Sequence, residues 1–336
     1  MWSPKLILLS LLLVASLDIT IGNIGKNDAK LILGINGHPL NQAAYLECDL
    51  TTQLRLIKKM GLTYYRIDVL TSVDGAAANE DKLIKLVKLA GRYKIKILPI
   101  FFLQGFDFND DLNTSTKKGY ILGKGITRRY KTFFNFYELG NEEELKVMDR
   151  SSDGSDLSHY NINKARIMAG FLRGMIEGIR ENDITAKTII NTAGWLHYGF
   201  FSILQSENVN YDILGLHWYS EMGKITDLNL NGKHVNMVDL LTKRYNKPIW
   251  ITEINRRGGS GVEEYHKESS CLKDYLSELK GQQAVKAFFI YELFDEPNLS
   301  DHTEASYGLL YQSTINGKYL FKFDVNQVLK RYTNSK

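Results

Sequence analysis

The chain has 336 residues, 44% of them hydrophobic and 24% charged, with only 5 prolines; such a composition buries a large core and excludes a disordered or collagen-like chain. Basic residues number 42 against 38 acidic ones, a net charge of +4, and they are spread along helical stretches rather than gathered into runs, so no nucleic-acid partner is expected. The length suits one α/β barrel of about 250 residues with loops and a leader.

At the N-terminus, Lys5 precedes an apolar run over residues 6–15, and small and polar residues follow up to Gly22. The run is shorter than the roughly 20 residues that span a bilayer, so residues 1–22 read as a cleaved secretory signal peptide and residues 23–336 as a single domain. The mature protein is therefore expected outside the cytosol, secreted, periplasmic or at the cell surface, as a monomer without membrane attachment. Two glycosylation sequons, at Asn113 and Asn298, fit that exposure. Cys48 and Cys271 are too few for a disulfide scaffold and unsuited by spacing to zinc; they are read as free thiols.

From residue 30 to 330, short apolar runs alternate with stretches of helical periodicity. Strands are expected over residues 31–36, 64–69, 96–102, 134–139, 188–192, 213–217, 249–252 and 287–293. Between them, helices are expected over 52–60, 81–93, 163–181 and 238–245, with apolar residues three or four apart, as in Leu83, Leu86, Val87 and Ala90. Strands apolar on both faces, separated by helices with one apolar face, predict a (β/α)8 TIM barrel. A doubly wound sheet is the rival, but no glycine-rich phosphate loop follows the first strand. The polar stretches 106–125 and 255–270 are expected to be loops. Loops that follow strands gather at the C-terminal face of a barrel, where active sites sit.

Two strands end in carboxylates. The fourth closes as Glu138-Leu139-Gly140-Asn141-Glu142 and the seventh as Trp250-Ile251-Thr252-Glu253. Three further βα units separate them, which predicts that they face each other across the barrel mouth. Glycoside cleavage needs such a pair, one group to protonate the leaving oxygen and the other to attack the anomeric carbon. Burial is expected to raise the pKa of Glu142 and keep it protonated, while Glu253 stays ionised. Glu143 and Glu144 are read as solvated, and Trp250, inside its strand, as packing.

Three motifs in this order, Gly140-Asn141-Glu142, His217-Trp218-Tyr219 and Trp250-Ile251-Thr252-Glu253, resemble the clan A glycoside hydrolases, retaining TIM barrels that include families 5, 39, 53 and 128. The resemblance covers most of residues 30–330. It implies Glu142 as acid/base, Glu253 as nucleophile, Asn141 on the sugar 2-hydroxyl, and Arg66 and Tyr219 holding the nucleophile, with His217 lining the same subsite. It also implies hydrolysis of a β-linked poly- or oligosaccharide with no metal or cofactor. The eighth strand lacks the Trp of many members, with Tyr291 or Phe294 as replacements, and Glu143 stands where a Pro often follows Asn-Glu. The seventh-strand run is similar to family 128, the C-terminal part to families 5 and 39.

A pyranose stacks its apolar face on aromatic rings, so Trp195 and Trp218, after strands five and six, are read as sugar contacts. His38, after the first strand, joins them, and His197 is a weaker candidate. Two other classes stay open: a carbohydrate-binding barrel without turnover, and a metal-dependent barrel hydrolase. The latter wants a His-x-His pair after the first strand, and only His38 is there.

Overall fold

The structure is a computed structural model, describing residues 31–315 and 317–332; the leader read over residues 1–22 lies outside them. Eight parallel strands close a barrel: β1 (Ile32–Gly37), β2 (Tyr64–Val69), β3 (Lys96–Phe101), β4 (Phe136–Leu139), β5 (Lys187–Thr192), β6 (Ile213–Tyr219), β7 (Ile249–Asn255) and β8 (Val285–Ile290). Each pairs with its neighbours in sequence, and β1 closes the ring against β8. Every expected strand is present. The main shifts are at the ends, where β6 and β7 run on through Tyr219 and Asn255 and so carry site residues within the strand.

Around the barrel run α1 (Leu50–Lys59), α2 (Glu80–Tyr93), α3 (Leu112–Tyr130), α4 (Ile162–Asn182), α5 (Gly199–Ser206), α6 (Met237–Tyr245), α7 (Val262–Leu279) and a last short α8 (Val325–Leu329). Asp49, Asp111, Asn161 and Asn236 cap α1, α3, α4 and α6 by accepting a first-turn N–H. Two expected loops are corrected. Much of 106–125 is helix α3, capped by Asp111, and 255–270 contains the end of β7 and the start of α7. The buried face of α3 is built on Ser115, Gly119, Leu122, Gly123 and Ile126, so it has little apolar periodicity to read. A Cβ at Gly119 or Gly123 would fall inside contact with the carbonyls of Phe171 and Met175 on α4, and Gly174 and Gly178 meet α3 in the same way. The two backbones touch. Among the described residues, no helix is long and apolar enough to cross a membrane.

The barrel interior is layered. At its N-terminal end, inward side chains form an apolar plug of Tyr64, Leu98, Ile189, Ile213, Trp250, Ala287 and Phe289. Trp250 therefore packs, as expected. Further along the strands the inward positions become polar: Asn36, Arg66, Glu138 and Asn191, and above Gly215 on β6, His217, all almost fully buried. Strict alternation from Trp250 would point Thr252 inward and Glu253 outward. An irregularity in β7 prevents this, because Leu216 pairs with Ile251 while His217 pairs with Glu253. One extra residue turns Glu253 into the barrel.

Candidate active site

A cavity of about 390 Å³ opens at the C-terminal face, lined by Asn36, His38, Arg66, Asp68, Asn141, Glu142, Tyr219, Glu253, Tyr291 and Tyr307 among others. Glu142 stands just past β4, and both it and the preceding Gly140 have left-handed backbone, φ 51° and 75°. Glycine takes that conformation freely; for Glu142 it is costly and marks a turn fixed by its surroundings. The carboxylates converge: ligand atoms of Glu142, His217 and Glu253 all lie within 4.8 Å of one another.

Arg66 organises the floor. It is buried and donates from Nε and Nη2 to Glu138 (2.6 and 3.0 Å), from Nη1 to Glu253 and Asn36 (2.7 Å each), and from Nη2 to Asn141 Oδ1 (3.0 Å). Burial pulls its pKa down, but the Glu138 and Glu253 charges outweigh burial and hold the guanidinium above its ordinary value. Tyr219 donates to the other oxygen of Glu253 (2.7 Å); burial and that carboxylate push its phenol well above the ordinary range, so it remains a donor. Glu253 is thus gripped on both oxygens, on an edge of the cavity.

His217 bridges the pair, its Nδ1 lying 2.6 Å from Glu142 Oε1 and 3.4 Å from Glu253 Oε2. Arg66 Nη2 lies 3.4 Å from its Nε2; burial lowers the His217 pKa, but Glu253 and Glu142 outweigh it and raise it, so Nδ1, which faces both carboxylates, carries a proton. The expected upward shift of Glu142 is corrected here. Burial does push it up, but the His217 hydrogen bond and charge, with Arg66 behind, outweigh burial and hold the carboxyl below its ordinary value.

On the far side, His38 Nδ1 lies 2.5 Å from Asp68, with Tyr291 OH and Glu292 at 3.5 and 3.4 Å from Nε2. Burial lowers the His38 pKa, yet Asp68, then Glu292 and Glu296, lift it to about 9. Glu292, fully buried, is pushed well above the carboxylate range by burial and by Glu296. His38, Glu292 and Glu296, like the Glu142 trio, have ligand atoms close enough to hold a metal ion.

Of the residues singled out in the sequence, the structure brings Glu142, Glu253, Asn141, Arg66, Tyr219, His38 and Tyr291 to the cavity wall, with His217 buried between the carboxylates. Four others it places elsewhere. Trp218 is fully buried and gives its indole N–H to Gly223 O (2.8 Å), because it is the outward neighbour of inward His217 on β6. Phe294 is core, packed on Tyr45 and Tyr319, so Tyr291 alone occupies the wall. Trp195 is 43% exposed on the loop after β5 and does not line the cavity. His197 is bound to Glu144 Oε1 (3.0 Å). Glu143 and Glu144 are buried, not solvated: Glu143 pairs with Lys146, and Glu144 accepts from Ala193 N.

Sequence reasoning missed Glu138, Asn191, Asn36 and Asp68. The signal was available, since period-two alternation along Phe136-Tyr137-Glu138 and Ile189-Ile190-Asn191 already points these polar groups inward at the strands' C-terminal ends. The rim residues Glu221, Arg257, Asp301 and Glu304 lie on connections with no such period.

Residues 182–315 match the family model described as the glycosyl hydrolase catalytic core. No curated protein matches the chain by sequence. Among solved structures, a family 39 glycoside hydrolase from the gut symbiont Bacteroides cellulosilyticus WH2 is similar at TM-score 0.67 and 15% identity, over 91% of this chain and 65% of that one. The β-glucosidase from Thermotoga maritima in complex with noeuromycin gives TM-score 0.66 at 11% identity, over 91% of this chain and 99% of that one. The virulence factor SghA from Agrobacterium tumefaciens gives 0.60 at 13%, over 91% and 97%. At these identities the likeness is one of fold, a TIM barrel. The match over residues 182–315 to a glycosyl hydrolase catalytic core supports an O-glycosyl hydrolase.

Proposed function

We propose that this protein is a retaining glycoside hydrolase that cleaves β-linked glycan by double displacement, with Glu253 as nucleophile and Glu142 as acid/base. One observation carries the reading: oxygens of the two carboxylates lie within 4.8 Å of each other across the cavity, against about 5–5.5 Å between carboxyl groups in retaining and 6.5–9.5 Å in inverting enzymes. So close an approach supports retention rather than inversion.

Arg66 and Tyr219 hold Glu253 by both oxygens and aim it, and its attack on the anomeric carbon breaks the glycosidic bond as Glu142 gives its proton to the leaving oxygen. Glu142 is ionised in the ligand-free site through His217. Its side chain is 27% exposed, and a sugar covering it removes the water that favours the anion, so the acid form belongs to the substrate complex. In the second step Glu142 takes a proton from water, which releases the sugar from Glu253 with net retention. With its Oδ1 engaged by Arg66, Asn141 offers its amide N–H2 to the 2-hydroxyl. His38 and Tyr291 contact the glycone from the opposite wall. In this reading the residue 1–22 leader exports the barrel, and the mature protein acts as a soluble monomer on extracellular carbohydrate.

The test is a panel of aryl β-glycosides and β-glucans with the wild type, Glu253→Ala and Glu142→Ala. Turnover is expected to fall by several orders of magnitude in Glu253→Ala, and added azide should restore it as the α-glycosyl azide, whereas Glu142→Ala should give the β-azide. Undiminished hydrolysis by both variants would remove the assignment.

A further inference from the structure

Glu142 sits in a backbone conformation it would not choose, and the group that holds it there comes from the next strand. Asn191, at the inward end of β5, is 1% exposed. Its Oδ1 accepts the backbone N–H of Glu142 at 2.8 Å, while its Nδ2 donates to Glu138 Oε1 at 2.6 Å and to Gly140 O at 3.3 Å. All three partners belong to the segment 138–142. One amide therefore ties the carbonyl before Asn141, the N–H of the left-handed residue, and the carboxylate that orients Arg66. A second tie from the same strand end reinforces it, as Ala193 N donates to Glu144 Oε1 at 2.6 Å. Room for the amide is made on β6, where residue 215, paired with Asn191, is glycine; a Cβ there would stand 2.7 Å from that of Asn191.

We propose that Asn191 is a positioning residue for the general acid: it locks the Glu142 turn so that the carboxyl stays opposite Glu253 and within reach of the leaving oxygen. The proposal rests on the acid/base reading of Glu142. Its signature follows from the chemistry. A 2,4-dinitrophenolate departs without a proton, whereas a phenolate needs one, so misplacing the acid penalises the phenyl glycoside selectively. Loss of a fold contact would lower both rates together.

The experiment measures kcat/KM on the 2,4-dinitrophenyl and phenyl β-glycosides of the sugar the panel selects, for wild type, Glu142→Ala, Asn191→Ala and Gly215→Ala. General acid catalysis contributes about 10²–10⁴-fold. Asn191→Ala is expected to raise the dinitrophenyl-to-phenyl ratio by at least about tenfold of that range, and Gly215→Ala, which crowds the amide without removing it, to raise it less. Gly215→Ala also decides the matter if Asn191→Ala does not fold. If Glu142→Ala raises the ratio and neither other variant does, the positioning role is overturned alone. If Glu142→Ala leaves the ratio unchanged, or the wild type turns over no glycoside, the acid/base reading itself falls.

Discussion

Replacing Arg66 by lysine keeps the positive charge under the catalytic pair and removes only its geometry. The guanidinium makes five hydrogen bonds to Glu138, Asn36, Glu253 and Asn141. An ammonium has three donors on a flexible stem, so at least two of these acceptors lose a partner in a place water does not reach. Each buried acceptor left unmade costs about 1–3 kcal/mol, more where it is charged, which puts Arg66→Lys at about 2–6 kcal/mol. That is a large part of a typical domain stability of about 5–15 kcal/mol. Urea unfolding followed by circular dichroism reads it as a lower midpoint with unchanged slope. Hydrolysis should fall as well, since Glu253 keeps only Tyr219 reliably. A midpoint within about 0.5 kcal/mol of wild type would refute the view that the fork, and not merely its charge, organises the site.

Two further outcomes follow from the same geometry. Tyr219→Phe removes one hydroxyl from Glu253 and little packing, so kcat on aryl glycosides should fall about tenfold or more with the unfolding midpoint nearly unchanged; a loss of stability without loss of rate would contradict the assignment. His38, raised from about 6.5 when unfolded to about 9 when folded by its carboxylate neighbours, contributes stability that is fully present below pH 6.5 and is lost as pH rises through 9. The expected slope amounts to about 3 kcal/mol over that interval, and the difference between wild type and His38→Gln in unfolding titrations isolates it from Asp68, Glu292, Glu296, Tyr45 and Tyr291, which face the ring. Equal slopes in the two proteins would dismiss it.

What could be read from the sequence was whatever repeats. Eight apolar runs gave eight strands, and Glu142 and Glu253, placed by counting βα units, meet across the mouth. Helix α3 escaped because Ser115, Gly119, Gly123 and Thr127 take up more than half of its buried stripe, which leaves Leu122, Ile126 and Tyr130 too few to show a hydrophobic period. Trp218 was misplaced because motif resemblance does not say which face of the strand a residue takes; its neighbour His217 is the one that points inward. The Glu142 shift was misjudged for a related reason. Burial is legible from an apolar neighbourhood, but a partner delivered by another strand, here His217 Nδ1, depends on register.

The contact of α3 with α4 constrains more than shape. Each glycine inside a helix weakens that helix by about 1 kcal/mol relative to alanine, so both segments are poor helices on their own. Their order is borrowed from each other. Since α3 leads into β4 and α4 leads away from the turn that bears Glu142, the strand carrying the acid is framed by two helices packed backbone to backbone. Losing either one strips the other of its closest packing partner, so the fourth unit of the barrel should open as a single cooperative block in hydrogen exchange.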